Sequence, residues 1–197
     1  MRLDHLAITC ADLASGTRWA EQALGVTFGP GGRHERFGTH NRLIGLADGL
    51  YLEVIAPDPE ATIRGPRWFG LDTPPATPTL GNWIVATDDI ASAPAAFGEV
   101  VPLERDGLTW QMRVPRDGSL PAGGGLPTLI EWGHGVRTPG ESLPSSDLRL
   151  ERLEIHHPDA ATLATEIAAP CEIIWHAAPL VTLRARFDTP KGPVWLG

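Results

Sequence analysis

Apolar and polar positions alternate from Leu3 to Thr9, with Leu6 and Ile8 on one face and Leu3, His5 and Ala7 on the other. That period of two predicts a half-buried strand. From Asp12 the period changes. Leu13, Trp19, Ala20 and Leu24 recur at helical spacing, Asp12 is placed to cap the start and Gly25 to cap the end, so 12–24 is predicted as a helix. Two further strands, Asn41–Ala47 and Leu50–Ala56, flank Asp48-Gly49, a two-residue hairpin signal.

The same order returns downstream. Asn82–Ile90 reads as a strand leading into a helix, and Asp89-Ile90-Ala91-Ser92 matches Asp12-Leu13-Ala14-Ser15 at an offset of 77, with Pro94 confining the second helix to a break or a late start. Leu129-Ile130-Glu131-Trp132 matches the Leu50–Val54 strand in type, with Glu53 and Glu131 separated by 78. A third, shorter copy follows: a strand at Arg152–Ile155, a helix at Asp159–Ile167, and strands at Ile173–His176, Val181–Phe187 and Pro193–Leu196, the last turned by Pro190-Lys191-Gly192. The unit is βαβββ, complete twice and abbreviated once.

This organisation divides the chain into a first module (1–57), a proline-rich linker (58–80), a second module (81–133) and a partial third repeat (148–197). Gly and Pro, 22 and 19 residues, concentrate in the joints and in a loop from Pro115 to Pro127. The expected fold class is α+β, one domain of 197 residues built by repetition.

Composition narrows the function. A net charge of −8 and the absence of any basic run argue against a nucleic-acid or anionic-membrane partner. Lys191 is the one lysine, which disfavours P-loop and Schiff-base chemistry. No apolar stretch approaches the ~18 residues of a membrane span, and the N-terminal residues lack a signal-peptide pattern. Cys10 and Cys171 have no CxxC partner and are expected as packed, reduced thiols, which places the chain in the cytoplasm. No Gly-x-Ser-x-Gly elbow occurs, and Gly123-Gly124-Gly125 precedes Leu-Pro rather than a helix start, so it is no phosphate cradle.

The residues Leu3-Asp4-His5-Leu6-Ala7-Ile8, Gly32-Arg33-His34, Gly38-Thr39-His40-Asn41 and Tyr51–Pro57, set in paired βαβββ units, resemble the vicinal oxygen chelate superfamily, in its glyoxalase-like branch. The resemblance covers the first 57 residues well and the second unit moderately. It implies paired modules forming a curved-sheet pocket, neither standing alone, and a small-molecule enzyme of lyase or isomerase type, acting on an oxygen-chelating substrate with a divalent metal (Zn, Ni, Mn or Fe). Carried over, His5, Glu53 and Glu131 are the metal ligands, and Asn82 falls at the remaining ligand position. An amide there is a weak ligand, and it departs from the family pattern.

Alternation places Tyr51, Glu53 and Ile55 on one face, and a glutamate between two apolar residues needs a partner or a ligand. Glu53, Glu131 and His40 are therefore the candidate acid–base groups, and Arg33, His34, Asn41 and Asn82 the candidate substrate contacts. His40 and Asn41 are adjacent, so only one of them can face the concavity. The bland readings are polar pocket residues without metal for His5 and Glu53, and a solvated loop for Arg33–His40. Trp83 and Trp132 follow ligand positions and are expected to pack in the core, and Trp68, with Arg64 and Arg67, to lie on the linker surface, the alternative being a lid over the pocket mouth. His156-His157 cannot chelate one ion, because adjacent strand residues point oppositely. The second functional reading is a metal-free protein that sequesters a small hydrophobic or aromatic compound, and a third is a scaffold with an unused pocket. The partners are then a small-molecule substrate or ligand and, as an expectation, a second copy of the chain in a homodimer.

Overall fold

A computed structural model describes residues 1–166 and 173–197. Cys171 and Ile167, the end of the predicted third-repeat helix, lie outside the described residues. The chain runs β1 (Arg2–Thr9), α1 (Leu13–Leu24), β2 (Arg33–His34), β3 (Thr39–Gly45), β4 (Tyr51–Pro57), β5 (Thr79–Ala86), β6 (Glu99–Arg105), β7 (Leu108–Val114) and β8 (Thr128–Trp132). It continues through a single turn of helix, α2 (Pro139–Ser142), then β9 (Arg149–His157), α3 (Ala160–Glu166), β10 (Ile173–Ala177), β11 (Thr182–Asp188) and β12 (Val194–Leu196).

The first eight strands form one curved sheet in the order β2-β3-β4-β1-β5-β8-β7-β6. Within each module the first strand lies parallel to the last, β1 on β4 and β5 on β8, and the modules meet where β1 and β5 run antiparallel. The last four strands form a second sheet, β10-β9-β11-β12, in which β9 lies parallel to the strand directly after its helix. The third segment thus shares the element order of the modules and pairs its strands differently.

Helix α1 forms as the pattern predicts. The Asp12 carboxylate accepts from the Ser15 amide at 2.8 Å, and Gly25 closes the helix in the left-handed conformation at φ 71°. Ala20 and Leu24 press onto the convex face of the sheet, against Val54 and Leu52.

The second module has no such helix. Where one is expected, after Asp89, the chain makes irregular turns and a short 3-10 turn at Ala95–Phe97. Arg113 of β7, buried, donates to the carbonyls of Ile90, Ala91, Ala93 and Gly98, capping the acceptors that helical bonding would have used. The convex side of this module is covered instead by the second sheet: Leu153, Ile155, Leu183, Ala185 and Phe187 join the same core as Trp83 and Leu129. Trp83 is fully buried and meets Trp175 edge-on at 6.3 Å, in keeping with its predicted packing role. Among the described residues no helix is long and apolar enough to cross a membrane.

Candidate active site in the concave cleft

A local irregularity in β1 sets up the site. Leu3 pairs with Val85 and His5 with Ile84, so Asp4 is an extra residue, a β-bulge. Leu3 consequently joins the convex core rather than sharing a face with His5, and both Asp4 and His5 are held on the site side, where they bond to each other. The His5 ring stacks on its neighbour Tyr51 of β4 at 4.2 Å. His5 Nδ1–H donates to the Asp4 carboxylate at 2.7 Å, while Nε2 faces Glu53 Oε2 at 3.7 Å, too far for a hydrogen bond. The other Glu53 oxygen accepts from Asn41 Nδ2 at 2.5 Å.

Charge and burial determine the protonation of this group. Burial works against an imidazolium at His5, but Asp4 and Glu53 outweigh it and push the pKa up to about 9. Burial likewise opposes ionisation of Glu53, and the facing His5, with His34 and Asn41, brings it down to about 2. Asp4 is held below the usual carboxylate range despite its burial, by His5, Trp132 and Tyr51. Burial, with the charges of Asp4 and Glu53, pushes the Tyr51 phenol well up. One buried cation is thus shared by two carboxylates at neutral pH.

The second module supplies the opposite wall. Arg105, at the end of β6, donates to His34 Nε2 at 2.9 Å and reaches Asn41 Oδ1 at 3.4 Å. An arginine only donates, so His34 accepts at Nε2 and carries its proton on Nδ1, 3.1 Å from Thr39 Oγ1. Burial, then the nearby positive charge of Arg105, lowers His34 to about 4 and keeps it neutral. Arg105 Nε and Trp110 Nε1 are buried and make no hydrogen bond among the described residues. Trp110, Met112, Ile130 and Trp132 complete an apolar wall. The cleft holds about 430 Å³ of space not filled by protein atoms, part of it open to solvent.

Of the residues expected from the sequence, His5, Glu53, His34 and Asn41 come together here. The others do not. His40 lies on the opposite face of β3, beside α1 with Asp12, Thr17 and Glu21, because its neighbour Asn41 takes the concave position. Arg33 points outward and pairs with Glu60 at 2.5 Å and with Asp58 at 3.3 Å. Glu131 faces away from the cleft: Leu129 belongs to the convex core, so alternation sends Ile130 and Trp132 inward and Glu131 outward, where it accepts from the Ile90 amide at 2.7 Å. Trp132 is thus a wall residue rather than core packing, and its Nε1 donates to Asp4 at 2.9 Å. Trp68 is also a wall residue, buried and stacked between Phe37 and Phe69 with its Nε1 on Thr39. Asn82 is fully buried and does not line the cleft.

Strand pairing explains why Glu131 misleads. Glu53 lies opposite Ala7 in β1; Ile84, the counterpart of Ala7 at the 77-residue offset, lies opposite Thr128. The counterparts of His5 and Glu53 are therefore Asn82 and Thr128, which hydrogen-bond to each other at 2.9 Å. The donor set does not fit the four-ligand metal centre that the resemblance implies. The first module offers an imidazole and a carboxylate, and the second offers an amide and a hydroxyl already satisfied by one another. Arg105, Asp4, Tyr51 and Trp110 were missed in the sequence. The signal for Arg105 was present, a strand ending at the hairpin dipeptide Asp106-Gly107, where both residues take positive φ. Away from the cleft, Glu154, His156 and His176 form a His/Glu group of metal-ligating type.

The family model of the glyoxalase-like domain matches residues 3–171. A search of curated proteins finds no sequence match. Among solved structures, a hypothetical protein from Staphylococcus aureus shares 13% identity over 92% of this chain and 87% of its own, with a TM-score of 0.64. A Streptomyces coelicolor methylmalonyl-CoA epimerase variant, in complex with 2-nitronate-propionyl-CoA, shares 18% identity over 71% of this chain and 99% of its own, with a TM-score of 0.43. The Mycobacterium tuberculosis methylmalonyl-CoA epimerase shares 17% over 66% and 86%, with a TM-score of 0.44.

Proposed function

For a chain that belongs to the glyoxalase-like domain family of the vicinal oxygen chelate superfamily, we propose an enzyme that moves a proton on a small oxygenated acid, an isomerase- or lyase-type reaction run by His5 and Glu53. The observation that carries this reading is the buried Asp4–His5–Glu53 cluster. Two carboxylates and a cation in an apolar cleft are costly to bury, and perturbed groups of this kind concentrate where chemistry is done.

His5 Nε2 and Glu53 Oε2 stand 3.7 Å apart, and a substrate oxygen with its adjacent carbon approaches this pair from the cleft. His5 Nε2–H donates to that oxygen, and Glu53 takes the proton from the adjacent carbon. A Glu53 near pKa 2 is a weak base in the resting site. Once the imidazolium N–H turns to the substrate, Glu53 loses its main stabiliser and its basicity rises. His5 then holds the negative charge developing on the substrate oxygen, while Asp4 and Asn41 keep the pair oriented. Arg105 Nε and Trp110 Nε1 meet a carboxylate or carbonyl at the other end of the substrate. The ligand set at the cleft supports no step through a divalent metal.

Solvent-deuterium uptake by a panel of 2-oxo and 2-hydroxy carboxylic acids, followed by proton NMR, tests this. At least one acid exchanges with the wild type, indifferent to chelator, and Glu53→Gln slows that exchange by about 100-fold or more. Exchange undiminished in Glu53→Gln overturns the assignment. The aromatic walls, Trp68, Trp110 and Trp132, favour the second reading, a metal-free binding protein for a flat apolar compound. Stoichiometric uptake of aromatic acids without exchange of any panel member selects it.

A further inference from the structure

On the outer face of the second sheet, remote from the cleft, lies a group that the proposed reaction leaves unused. Glu154 and His156 are two apart on β9 and so point the same way, opposite to Leu153 and Ile155 of the core. His176 of β10 lies directly beside His156 in the parallel register. The two rings stack at 4.7 Å. His156 Nε2 stands 3.8 Å from Glu154 Oε2, and His176 Nε2 stands 4.0 Å from the same oxygen. All three ligand atoms lie within 4.8 Å of one another.

A second observation points to a ligand: His156 Nε2 and His176 Nε2 are both shielded from water, and neither makes a hydrogen bond among the described residues. Two adjacent imidazole nitrogens lacking partners, aimed at one carboxylate oxygen, are under-satisfied as they stand. The dipeptide His156-His157 splits as alternation requires, with His157 Nε2 against the Ala122 carbonyl on the inner side. The chelating histidine is supplied instead by the neighbouring strand.

We propose that Glu154, His156 and His176 bind a zinc-class divalent transition metal. Two imidazoles and one carboxylate suit zinc and leave its fourth position open. Ligands of a tetrahedral zinc at ~2.1 Å stand about 3.4 Å apart, so closing the group draws each imidazole toward the carboxylate by roughly half an ångström and the two imidazoles together by up to about 1.4 Å, in side chains that are only partly buried. Arg152 and Arg184 approach Glu154 at 3.7 and 3.9 Å, beyond hydrogen-bond distance, and Arg184 lies over the Trp195 ring at 4.7 Å. They compete weakly with the ion for the carboxylate, and they favour an anion in its open position.

Titration of tag-free protein with zinc by calorimetry, and with cobalt(II) by visible absorption, tests the site. The expected result is one equivalent bound, a cobalt spectrum of low coordination number, and affinity reduced on the order of tenfold or more by His156→Asn and by His176→Asn. Glu53→Gln and His5→Asn in the cleft leave that affinity unchanged. No stoichiometric binding, or binding lost in His5→Asn and retained in both outer-face variants, overturns the proposal. Anomalous diffraction from zinc-soaked crystals decides the same question independently, by the presence or absence of a peak between β9 and β10.

Discussion

The Arg105 guanidinium and the His34 ring meet at 2.9 Å and join the far ends of the eight-stranded sheet, β6 to β2, across the mouth of the cleft. The contact fixes the His34 tautomer and helps to keep that ring neutral, while Arg105 Nε stands 3.5 Å from Asp106 Oδ2. Arg105→Leu is expected to raise the His34 pKa from about 4 toward its ordinary value, as followed by ring-proton NMR shifts. It also weakens carboxylate binding by about tenfold, the scale of one charge-assisted hydrogen bond. A His34 titration unchanged in the variant would show that Arg105 plays no part in setting it.

Stability follows pH through the same cluster, with opposite signs on the two sides of neutrality. His5, raised from 6.5 to about 9, contributes stability that is complete below 6.5 and lost as pH climbs through 9. His34, lowered from 6.5 to about 4, contributes above 6.5 and loses that contribution as pH falls through 4. Glu53, lowered from 4.5 to about 2, contributes above 4.5 and loses it toward 2. Maximal stability is therefore expected near neutrality, with the acid side failing first through His34 and then through Glu53. Urea midpoints at about pH 5, 7 and 10 measure it, and His5→Asn removes the alkaline loss. An alkaline limb that survives in His5→Asn would assign that limb elsewhere.

Much of this was legible in the chain. The strand period from His5 to Thr9, the helix of 13–24 and its caps Asp12 and Gly25 rest on local rules that the structure obeys, and the curved sheet follows the family resemblance. The concave positions of His5 and Glu53 follow from simple alternation, and they come together as that alternation requires. What alternation could not reveal were the bulges. Asp4 in β1 shifts one face, and Gly81 in β5 shifts the other, between the Ala7–Asn82 and Ile8–Leu80 pairs. A one-residue slip exchanges the faces of a strand. Glu131 misled for another reason: Thr128, three residues earlier, holds the position paired as Glu53 is, and unbroken alternation from there turns Ile130 and Trp132 to the cleft and Glu131 away. The missing second helix is a different failure. Its sequence echo, Asp89–Ser92, is real, but a buried arginine 21 residues beyond it takes over the carbonyls.

Arg113 accordingly carries an unusual share of the second module's stability. Its guanidinium serves four carbonyls between Ile90 and Gly98. Arg113→Met keeps the aliphatic stem and removes every one of those donors. The loss is expected at about 3 kcal/mol, since several acceptors are left under-satisfied and only part can be rehydrated, and it appears as a lower urea midpoint. A change under about 0.5 kcal/mol would mean that the turn holds itself without the arginine.

Trp110 supports the opposite expectation. Its Nε1 is buried and meets no acceptor among the described residues, an unfavourable arrangement, while its ring packs against Trp132 at 5.8 Å. Trp110→Phe keeps an aromatic wall and deletes the orphan donor. Stability is expected to hold or to rise by about 1 kcal/mol, because no hydrogen bond is lost and one unsatisfied group is removed. Binding should separate by ligand chemistry: carboxylic acids weaken by about fivefold or more, while a neutral aromatic of the same shape binds as before. Equal losses for both ligands would make Trp110 a shape-filling residue, and its donor would then play no part in recognition.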